Sequence, residues 1–282
     1  MKTKIFILAA SLIFSLPALN AQDAVNDGGI FVGFGGGYGV GISRNVIGYN
    51  SEDNSVNNTY YTELVKGSYG HGANFNVYGG YMINNVIGLE LAANYLAGSA
   101  YTFTNTDIHT LNSTTNVNEV HATSFRLIPG IRLSYGEEKL RVYSRVALAF
   151  GLMNRMVDNH TRTTSNPGGT DIRYESFEYS GGKYVGFTGS FGLTYALSDH
   201  ISLYGELTRY FISWGATDGE YTEATLNGAD ELGNMTTSEK KYEYVNRVDQ
   251  TMNQNPGQPT QQVRSFVPLS SLSVNLGLHF NF

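Results

Sequence analysis

Two short motifs in the sequence have the spacing of a serine nucleophile that is activated by a lysine. Ser180 with Lys183, and Ser238 with Lys241, both match S-x-x-K. Enzymes that use this motif also carry S-D-N and K-T-G elements, and neither element accompanies the two matches. Complete G-x-G-x-x-G, P-loop, H-E-x-x-H and G-x-S-x-G motifs are also absent from the sequence. We therefore interpret both matches as coincidental, and we expect no catalytic residue and no cofactor.

A second group of residues could act through charge. Six charged side chains fall on the face of alternating segments that otherwise carries small and polar residues: Glu90, Arg126, Arg132, Arg141, Arg145 and Glu206. Glu90, Arg145 and Glu206 lie at similar depth, because each is about four or five residues from the short-turn end of its segment. Buried charges are stable only when they are paired and hydrogen-bonded, so we predict an ion-pair cluster of these three. The four arginines outnumber the two glutamates, which leaves an anion-preferring pathway lined by the arginines as the alternative.

The composition narrows the classes of partner. The 282-residue chain has 18 Lys and Arg against 24 Asp and Glu, a net charge of −6, and no Cys. This acidic balance argues against a nucleic-acid partner. The absence of Cys excludes disulfides, thiolate zinc sites and cysteine nucleophiles. Residues 212–265 hold eight acidic and four basic residues, but the calcium-loop spacing is absent, so we expect a solvated acidic loop and no metal site.

The first residues have the order of a secretory signal. Lys2 and Lys4 precede an apolar run from Ile5 to Leu16, which is followed by Pro17 and by small residues that end at Ala21. The run is shorter than the roughly 20 residues that a membrane helix needs, although a retained helix is the alternative. We predict a signal peptide over residues 1–21.

The elements that position the charged residues are eight segments that alternate between apolar and small or polar residues. They span 30–42, 73–83, 87–95, 124–135, 140–152, 184–195, 201–208 and 271–282. A period of two is typical of β-strands, and the lengths are close to the roughly 9 to 11 residues of a tilted membrane strand. The sequence therefore predicts an all-β fold, an eight-stranded antiparallel up-and-down transmembrane β-barrel, over residues 22–282.

The connections between the segments alternate in length. Short turns follow the second, fourth and sixth segments. Long polar stretches follow the first, third, fifth and seventh segments, near 43–71, 98–119, 153–182 and 212–265. Short periplasmic turns and long extracellular loops are typical of outer membrane barrels. We therefore expect these four stretches to be extracellular loops.

Aromatic residues recur at both ends of the apolar face. Tyr81, Tyr135, Tyr195 and Phe282 end the segments at the short-turn side, and Tyr38, Tyr95, Phe187, Phe211 and Trp214 lie at the long-loop side. Aromatic rings prefer the headgroup level of a membrane, so we predict two aromatic girdles. A soluble lipocalin-like barrel is the alternative, but its apolar face would point inward.

Taken together, the signal, the eight segments and the alternating final segment that ends in Phe282 resemble the small outer membrane β-barrel family, the OmpA-like, OmpX-like and porin-like barrels. This resemblance implies a location in the outer membrane of a Gram-negative bacterium, in contact with its lipids. It also implies that Leu278, Phe280 and Phe282 form the signal that the barrel-assembly machinery reads.

Fold does not give function, so the loops and the interior carry the functional hypotheses. The loops are rich in Tyr, Asn and Thr, and such loops form adaptable contact surfaces. We predict a non-enzymatic, surface-exposed structural or interaction scaffold whose loops meet an extracellular ligand or host surface. A narrow passive channel for small solutes is the alternative. A lipid-modifying enzyme is a third hypothesis, and it would need a Ser, an acid and one of His71, His109, His121 or His160.

Overall fold

The structure is a computed structural model that describes residues 29–136, 139–248 and 255–282. The predicted signal peptide lies outside these residues. No helix within the described ranges is long and apolar enough to cross a membrane. The α-helix α1 (Thr237–Lys240) is a single turn that begins with a capping box between Thr236 and Glu239.

Strands make up most of the described residues, and there are 18 of them there, ten more than the segments identified in the sequence. In chain order they are β1 (Gly29–Gly41), β2 (Val46–Asn54), β3 (Thr59–Lys66), β4 (Gly72–Met82), β5 (Ile87–Gly98), β6 (Tyr101–Ile108), β7 (Ser113–Gly136), β8 (Leu140–Asn166), β9 (Gly169–Ser180), β10 (Tyr184–Ala196), β11 (Ile201–Phe211), β12 (Ser213–Trp214), β13 (Asp218–Leu226), β14 (Ala229–Asp230), β15 (Lys241–Val245), β16 (Thr260–Val263), β17 (Val267–Pro268) and β18 (Ser271–Asn281).

The eight alternating segments form β1, β4, β5, β7, β8, β10, β11 and β18, which we call the core strands. Their antiparallel pairs are β1–β4, β4–β5, β5–β7, β7–β8, β8–β10, β10–β11 and β11–β18. The last core strand, β18, also pairs with β1 along 11 residue positions, from Phe31 opposite Asn281 to Gly41 opposite Ser271. Each core strand therefore has an antiparallel neighbour on both sides.

The two faces of the core strands differ as the period-two pattern predicts. In β1 the side chains of Val32, Phe34 and Val40 are exposed, whereas Phe31 is buried. In β5 the alternation places Leu89 and Leu91 outside and Glu90 and Ala92 inside. An exposed face of large apolar residues and a buried face of polar ones is the reverse of the pattern in a soluble barrel.

The short turns are built by local side-chain hydrogen bonds. Asn84 Oδ1 accepts from the backbone N–H groups of Val86 and Ile87, at 2.9 and 2.8 Å, and Ser198 Oγ accepts from Ile201 N–H at 3.2 Å. Asn and Ser favour turns for this reason. Gly136, the last residue of β7, has a φ of +140°, a conformation that favours glycine.

The four stretches expected as loops contain further strands, which is the main difference from the sequence-based expectation. β7 and β8 extend past the other core strands. On the β8 side the sheet continues with β9, β13, β15 and β16, and on the β7 side it continues with β6, β2 and β3. We call these seven added strands and the outer parts of β7 and β8 the extension. Its Thr-, Tyr- and Val-rich sequence favours strands, and the long β7–β8 pair offers free edges on which they form.

Candidate functional site

Four of the six charged residues singled out from the sequence meet on the buried face. Glu90 comes from β5, Arg132 from β7, Arg145 from β8 and Glu206 from β11. In each strand the alternation of side chains places this residue on the side opposite the apolar face. Arg132 and Arg145 are direct cross-strand partners, and such like-charged neighbours repel one another unless carboxylates lie between them.

The two carboxylates supply that compensation in a continuous chain. Arg132 Nη1 lies 3.2 Å from Glu90 Oε2, and Arg145 Nη1 is paired with the other oxygen of Glu90. Arg145 Nη2 then lies 2.9 Å from Glu206 Oε1. The four side chains are between 0 and 6 % exposed. We call these four residues the ion-pair chain, in which two positive and two negative charges balance.

Neutral side chains add hydrogen bonds and a ring contact to the ion-pair chain. Tyr143 donates its hydroxyl hydrogen to Glu206 Oε2 at 3.1 Å, and Arg145 Nη2 donates to Ser190 Oγ at 3.0 Å. The guanidinium carbon of Arg132 lies 3.7 Å from the centroid of the Tyr143 ring. Buried charges need this combination of opposite charge and hydrogen bonds.

The other two arginines lie apart from the ion-pair chain. Arg126 is 1 % exposed, donates from Nε to Ser124 Oγ at 3.3 Å and stacks its guanidinium 5.0 Å from the Tyr210 ring centroid. Arg141 is half-buried and donates to the carbonyl oxygen of Asn85 at 3.5 Å. In the part of the chain that the structure describes, neither of them pairs with a carboxylate within 4.0 Å.

Tyrosine rings fill the space that glycines leave on the buried face. A Cβ atom on Gly33 would overlap the ring of Tyr78, and one on Gly35 would overlap the hydroxyl of Tyr204. Across the sheet, Gly151 makes room for Tyr184 and Gly192 for Tyr143 in the same way. The hydroxyl of Tyr78 also lies 3.1 Å from His279 Nδ1. The buried face is therefore closely packed around the ion-pair chain.

The three residues of the predicted assembly signal lie on β18 and just beyond it. Leu278 is opposite Phe34 of β1, and Phe280 is opposite Val32. The rings of Phe34 and Phe280 stack with centroids 6.0 Å apart. Phe282 is 76 % exposed and its N–H donates to Ile30 O at 2.9 Å. Their role in assembly stays a prediction.

The girdle prediction was wrong for one residue. Trp214 is only 1 % exposed, and its Nε1 donates to the carbonyl oxygens of Gly181 and Gly182 at 2.9 and 3.1 Å. The indole N–H needs a partner when buried, and the loop at Gly181 supplies it. Trp214 therefore packs on the inner side of the extension, whereas Tyr38, Tyr95, Phe187 and Phe211 are exposed as expected.

The nucleophile candidates are not assembled into a catalytic unit. Lys241 Nζ lies 3.5 Å from Glu220 and Ser238 Oγ lies 3.1 Å from Thr236 Oγ1, so neither contact joins the motif pair. Ser55 Oγ is 2.8 Å from His109 Nδ1, but it also bonds to the carbonyl oxygen of Ile108. Among the described residues no carboxylate is hydrogen-bonded to His109, and no group of three or more His, Asp or Glu side chains is arranged to hold a metal.

A cavity in the extension is the feature that the sequence analysis missed. It has a volume of about 230 Å³ and lies among β7, β8, β9, β13, β15 and β16, with Asp158, Tyr179 and Tyr244 in its wall. Odd-numbered residues of β8 are buried from Tyr143 to Gly151, and after the register shift near Phe125 and Arg126 the even-numbered Asn154 and Met156 are buried. The alternation of Phe177 with Tyr179 and of Tyr242 with Tyr244 was the signal, but both pairs fall in stretches expected as loops.

Comparison with known proteins identifies the family. Residues 6–229 match the family described as outer membrane protein beta-barrel domain. The chain belongs to this family. It is an outer membrane β-barrel family protein with an all-β, mostly antiparallel fold. A search of curated proteins returned no match.

Solved structures of outer membrane proteins are similar to this family member at low sequence identity. The outer membrane protein OprG from Pseudomonas aeruginosa has 11% identity and a TM-score of 0.41, over 91% of this chain and 97% of that chain. Ail, the attachment invasion locus protein of Yersinia pestis, has 10% identity and a TM-score of 0.32, over 91% and 99%. Ail in complex with the heparin analogue sucrose octasulfate has 9% identity and a TM-score of 0.32, over 91% and 98%.

Proposed function

We propose that the core strands close into an eight-stranded barrel that spans the outer membrane of a Gram-negative bacterium, and that the barrel is a non-conducting, non-enzymatic scaffold for the extension. The pairing of β18 with both β11 and β1 supports closure. The band of exposed Leu, Val and Phe side chains suits contact with outer membrane lipids. The extension then projects outside the cell as the contact surface for an extracellular ligand or host surface.

The ion-pair chain is the observation that carries this proposal. Eight strands enclose an interior that side chains can fill, and here the ion-pair chain runs from Glu90 on β5 through Arg145 on β8 to Glu206 on β11. A water-filled pore would leave its charged side chains accessible to water, whereas these are at most 6 % exposed. The tyrosines packed against glycines occupy the space on either side. Such an interior favours a plugged scaffold over a solute channel.

Conductance in planar bilayers tests this proposal. We expect the refolded wild-type protein to be silent, and the double variant Tyr78→Ala/Tyr204→Ala to conduct, because it removes two rings from the interior. Tyr81→Ala is the matched control, since the Tyr81 ring is on the exposed face, and it should stay silent. Co-flotation with lipid verifies that every variant has inserted.

One result would contradict the scaffold, and a second would contradict the role given to the two tyrosines. Steady anion-selective conductance of the wild-type protein that Arg145→Ala abolishes would make the interior arginines a solute pathway. Silence in the inserted double variant would show that the two tyrosines do not close the interior.

A further inference from the structure

The cavity in the extension has an aromatic wall. Phe177 on β9 is at its centre, with ring centroids 4.6 Å from Tyr179, 4.8 Å from Tyr221 and 5.4 Å from Tyr242. Tyr244 stacks on Tyr179 at 5.9 Å. Five rings from three neighbouring strands thus line a space of about 230 Å³, together with the polar residues Asn118, Asp158, His160, Glu175 and Gln262. Aromatic faces carry negative electrostatic potential and attract cations that come within about 6 Å.

A glycine leaves room for the rings of this wall to pack together. Gly219 on β13 is opposite Tyr179 on one side and Tyr242 on the other. A Cβ atom there would lie 2.6 Å from the ring of Phe177 and 2.9 Å from that of Tyr244. The missing side chain therefore lets rings on adjacent strands approach one another over the middle strand.

Asp158 brings a negative charge to the cavity, and His160 in the same cavity wall is the basic side chain that acts on it. It is the cross-strand neighbour of Phe177, and its Oδ1 accepts a hydrogen bond from Asn118 Nδ2 at 3.1 Å. Among the residues that the structure describes, no Lys or Arg lies within 4.0 Å of its carboxylate. Glu175, also in the wall, differs because Arg173 lies 3.5 Å and His160 3.7 Å from it.

The surroundings of Asp158 penalise an uncompensated charge. Burial raises the pKa of the Asp158 carboxyl, and the hydrogen bond from Asn118 and the nearby His160 only partly oppose this. Burial also raises the pKa of Tyr179 and Tyr221, and that of Tyr244 to about 12, so these phenols stay neutral at physiological pH. A bound cation would offset the cost of the carboxylate.

A second cavity, of about 210 Å³, lies next to the first. The two share Asp158, Tyr179 and Tyr244, and the second is also lined by Met156, Trp214 and Val267. Each is smaller than the roughly 300 to 1,000 Å³ of pockets for drug-sized ligands, which fits a headgroup. Hard metal ions prefer a shell of several oxygen ligands, and among the described residues no group of three or more His, Asp or Glu side chains is arranged to hold one. A primary ammonium is strongly hydrated and so suits aromatic rings less than a quaternary ammonium does.

We propose that this cavity binds a quaternary ammonium group, such as the trimethylammonium of choline, between the Asp158 carboxylate and the rings of Phe177, Tyr179, Tyr221, Tyr242 and Tyr244. The site rests on the proposed function, because it gives the extension a ligand class. The group reaches it either as free choline or as the headgroup of a choline lipid.

Calorimetric titration of the purified protein in a neutral sugar detergent tests the site. The probes are choline, tetramethylammonium and 3,3-dimethylbutan-1-ol, an uncharged analogue of choline with carbon in place of nitrogen. We expect saturable binding of the two cations and at least tenfold weaker binding of the alcohol. Equal binding of the alcohol, or no binding of either cation, would overturn the proposal.

Matched variants separate charge from aromatic contact. Asp158→Asn keeps the shape of the side chain and should weaken choline binding about tenfold, as should Tyr221→Leu. Glu178→Gln removes a charge from the same strand as Phe177 but outside the cavity wall, so it should bind as the wild type does. Tyr221→Phe keeps the ring and should weaken binding less than Tyr221→Leu. Unchanged affinity in Asp158→Asn would rule out the carboxylate as the cation's partner.

Stability measurements show whether a variant loses choline binding only because it folds less well. Because the pKa of Asp158 is raised, folding favours the neutral form of this side chain. The stability that the neutral form contributes is lost as the pH rises through the pKa that Asp158 has in the folded protein. Asp158→Asn should therefore be at least as resistant to denaturant as the wild type at neutral pH while binding less choline. A parallel loss of binding and stability would mean that the carboxylate acts structurally.

Vesicles distinguish the two sources of the ligand. Recruitment of detergent-free protein particles to phosphatidylcholine vesicles over phosphatidylglycerol vesicles would identify a lipid headgroup, and binding of free choline alone would identify a solute; both support the site. The conductance experiment is independent. A silent barrel that fails to bind choline overturns only this site, and a conducting barrel that binds choline overturns only the scaffold.

Discussion

Glu90 is the carboxylate that two buried guanidinium groups share, because its two oxygens face Arg132 and Arg145. At the scale of single residues it is therefore the side chain on which the interior depends most. Glu206 has a smaller share, since Arg145 retains Glu90 when Glu206 is removed. The pairing makes loss of one partner costly, even though the whole chain of charges contributes little net stability over an apolar core.

Glu90→Gln should lower the free energy of unfolding by about 3–5 kcal/mol, the range for removing one partner of a buried ion pair. Denaturant titration of the refolded protein measures it. Glu52→Gln, at an exposed position of β2, should change stability by no more than about 0.5 kcal/mol. Similar values for the two variants would show that the ion-pair chain is not closed to water.

Two adjacent glycines of β1 should differ in their tolerance of a methyl group. A Cβ on Gly37 would overlap the carbonyl oxygen of Val274 and Oδ1 of Asn275, whereas one on Gly36 would have no heavy atom nearer than 3.5 Å. Gly37→Ala should cost about 1–3 kcal/mol through overpacking, and Gly36→Ala should be near neutral. Denaturant midpoints of the two variants provide the comparison, and the reverse order would mean that the faces of β1 are exchanged.

At the scale of elements, the strands present chemically opposite faces because their side chains alternate. Leu276 on β18 is 66 % exposed. Leu111, in the turn between β6 and β7, is 73 % exposed. Exposure alone cannot distinguish these two leucines. Their surroundings differ in the proposed orientation, since Leu276 meets lipid and Leu111 meets water.

The same substitution at both leucines tests that difference. Leu276→Arg should cost about 2–4 kcal/mol, because a cation near the bilayer midplane is costly, and should reduce the folded protein recovered in lipid. Leu111→Arg should refold as the wild type does. Equal refolding yields in lipid vesicles would contradict contact between this face of β18 and the membrane.

At the scale of the whole molecule, the proposed orientation puts the short turns in the periplasm and the extension outside the cell. The chain has no Cys, so single-cysteine variants report one position each. Gly168→Cys lies in the β8–β9 turn and Asp199→Cys in the β10–β11 turn. The two turns are at opposite ends of β10 and its neighbours, since β8 and β11 both pair antiparallel with β10.

A large maleimide-polymer reagent should label Gly168→Cys in intact cells, and Asp199→Cys only after the outer membrane is permeabilised. The measurement is a mobility shift of the labelled protein on a denaturing gel. Labelling of Asp199→Cys alone in intact cells would reverse the orientation and place the cavity in the periplasm.

The order of apolar and polar residues along the chain was sufficient for the all-β family, the faces and the positions of the short turns. Alternation fixes which side of a strand a residue is on, whatever the strand pairs with. It therefore put Glu90, Arg126, Arg132, Arg145 and Glu206 on the buried face before any pairing was known. The short turns at Asn84 and Ser198 depend on hydrogen bonds within the turn, so a local pattern was enough to place them.

Only the tertiary structure decided which of these residues touch. Arg126 and Arg145 have the same alternation, yet one stacks on Tyr210 and the other is paired with two glutamates. Trp214 and the extension were misjudged because local pattern does not show how far β7 and β8 run past their neighbours. The cavity around Asp158 draws on strands far apart in sequence. Register between such strands is set by long-range packing, which a local pattern does not contain.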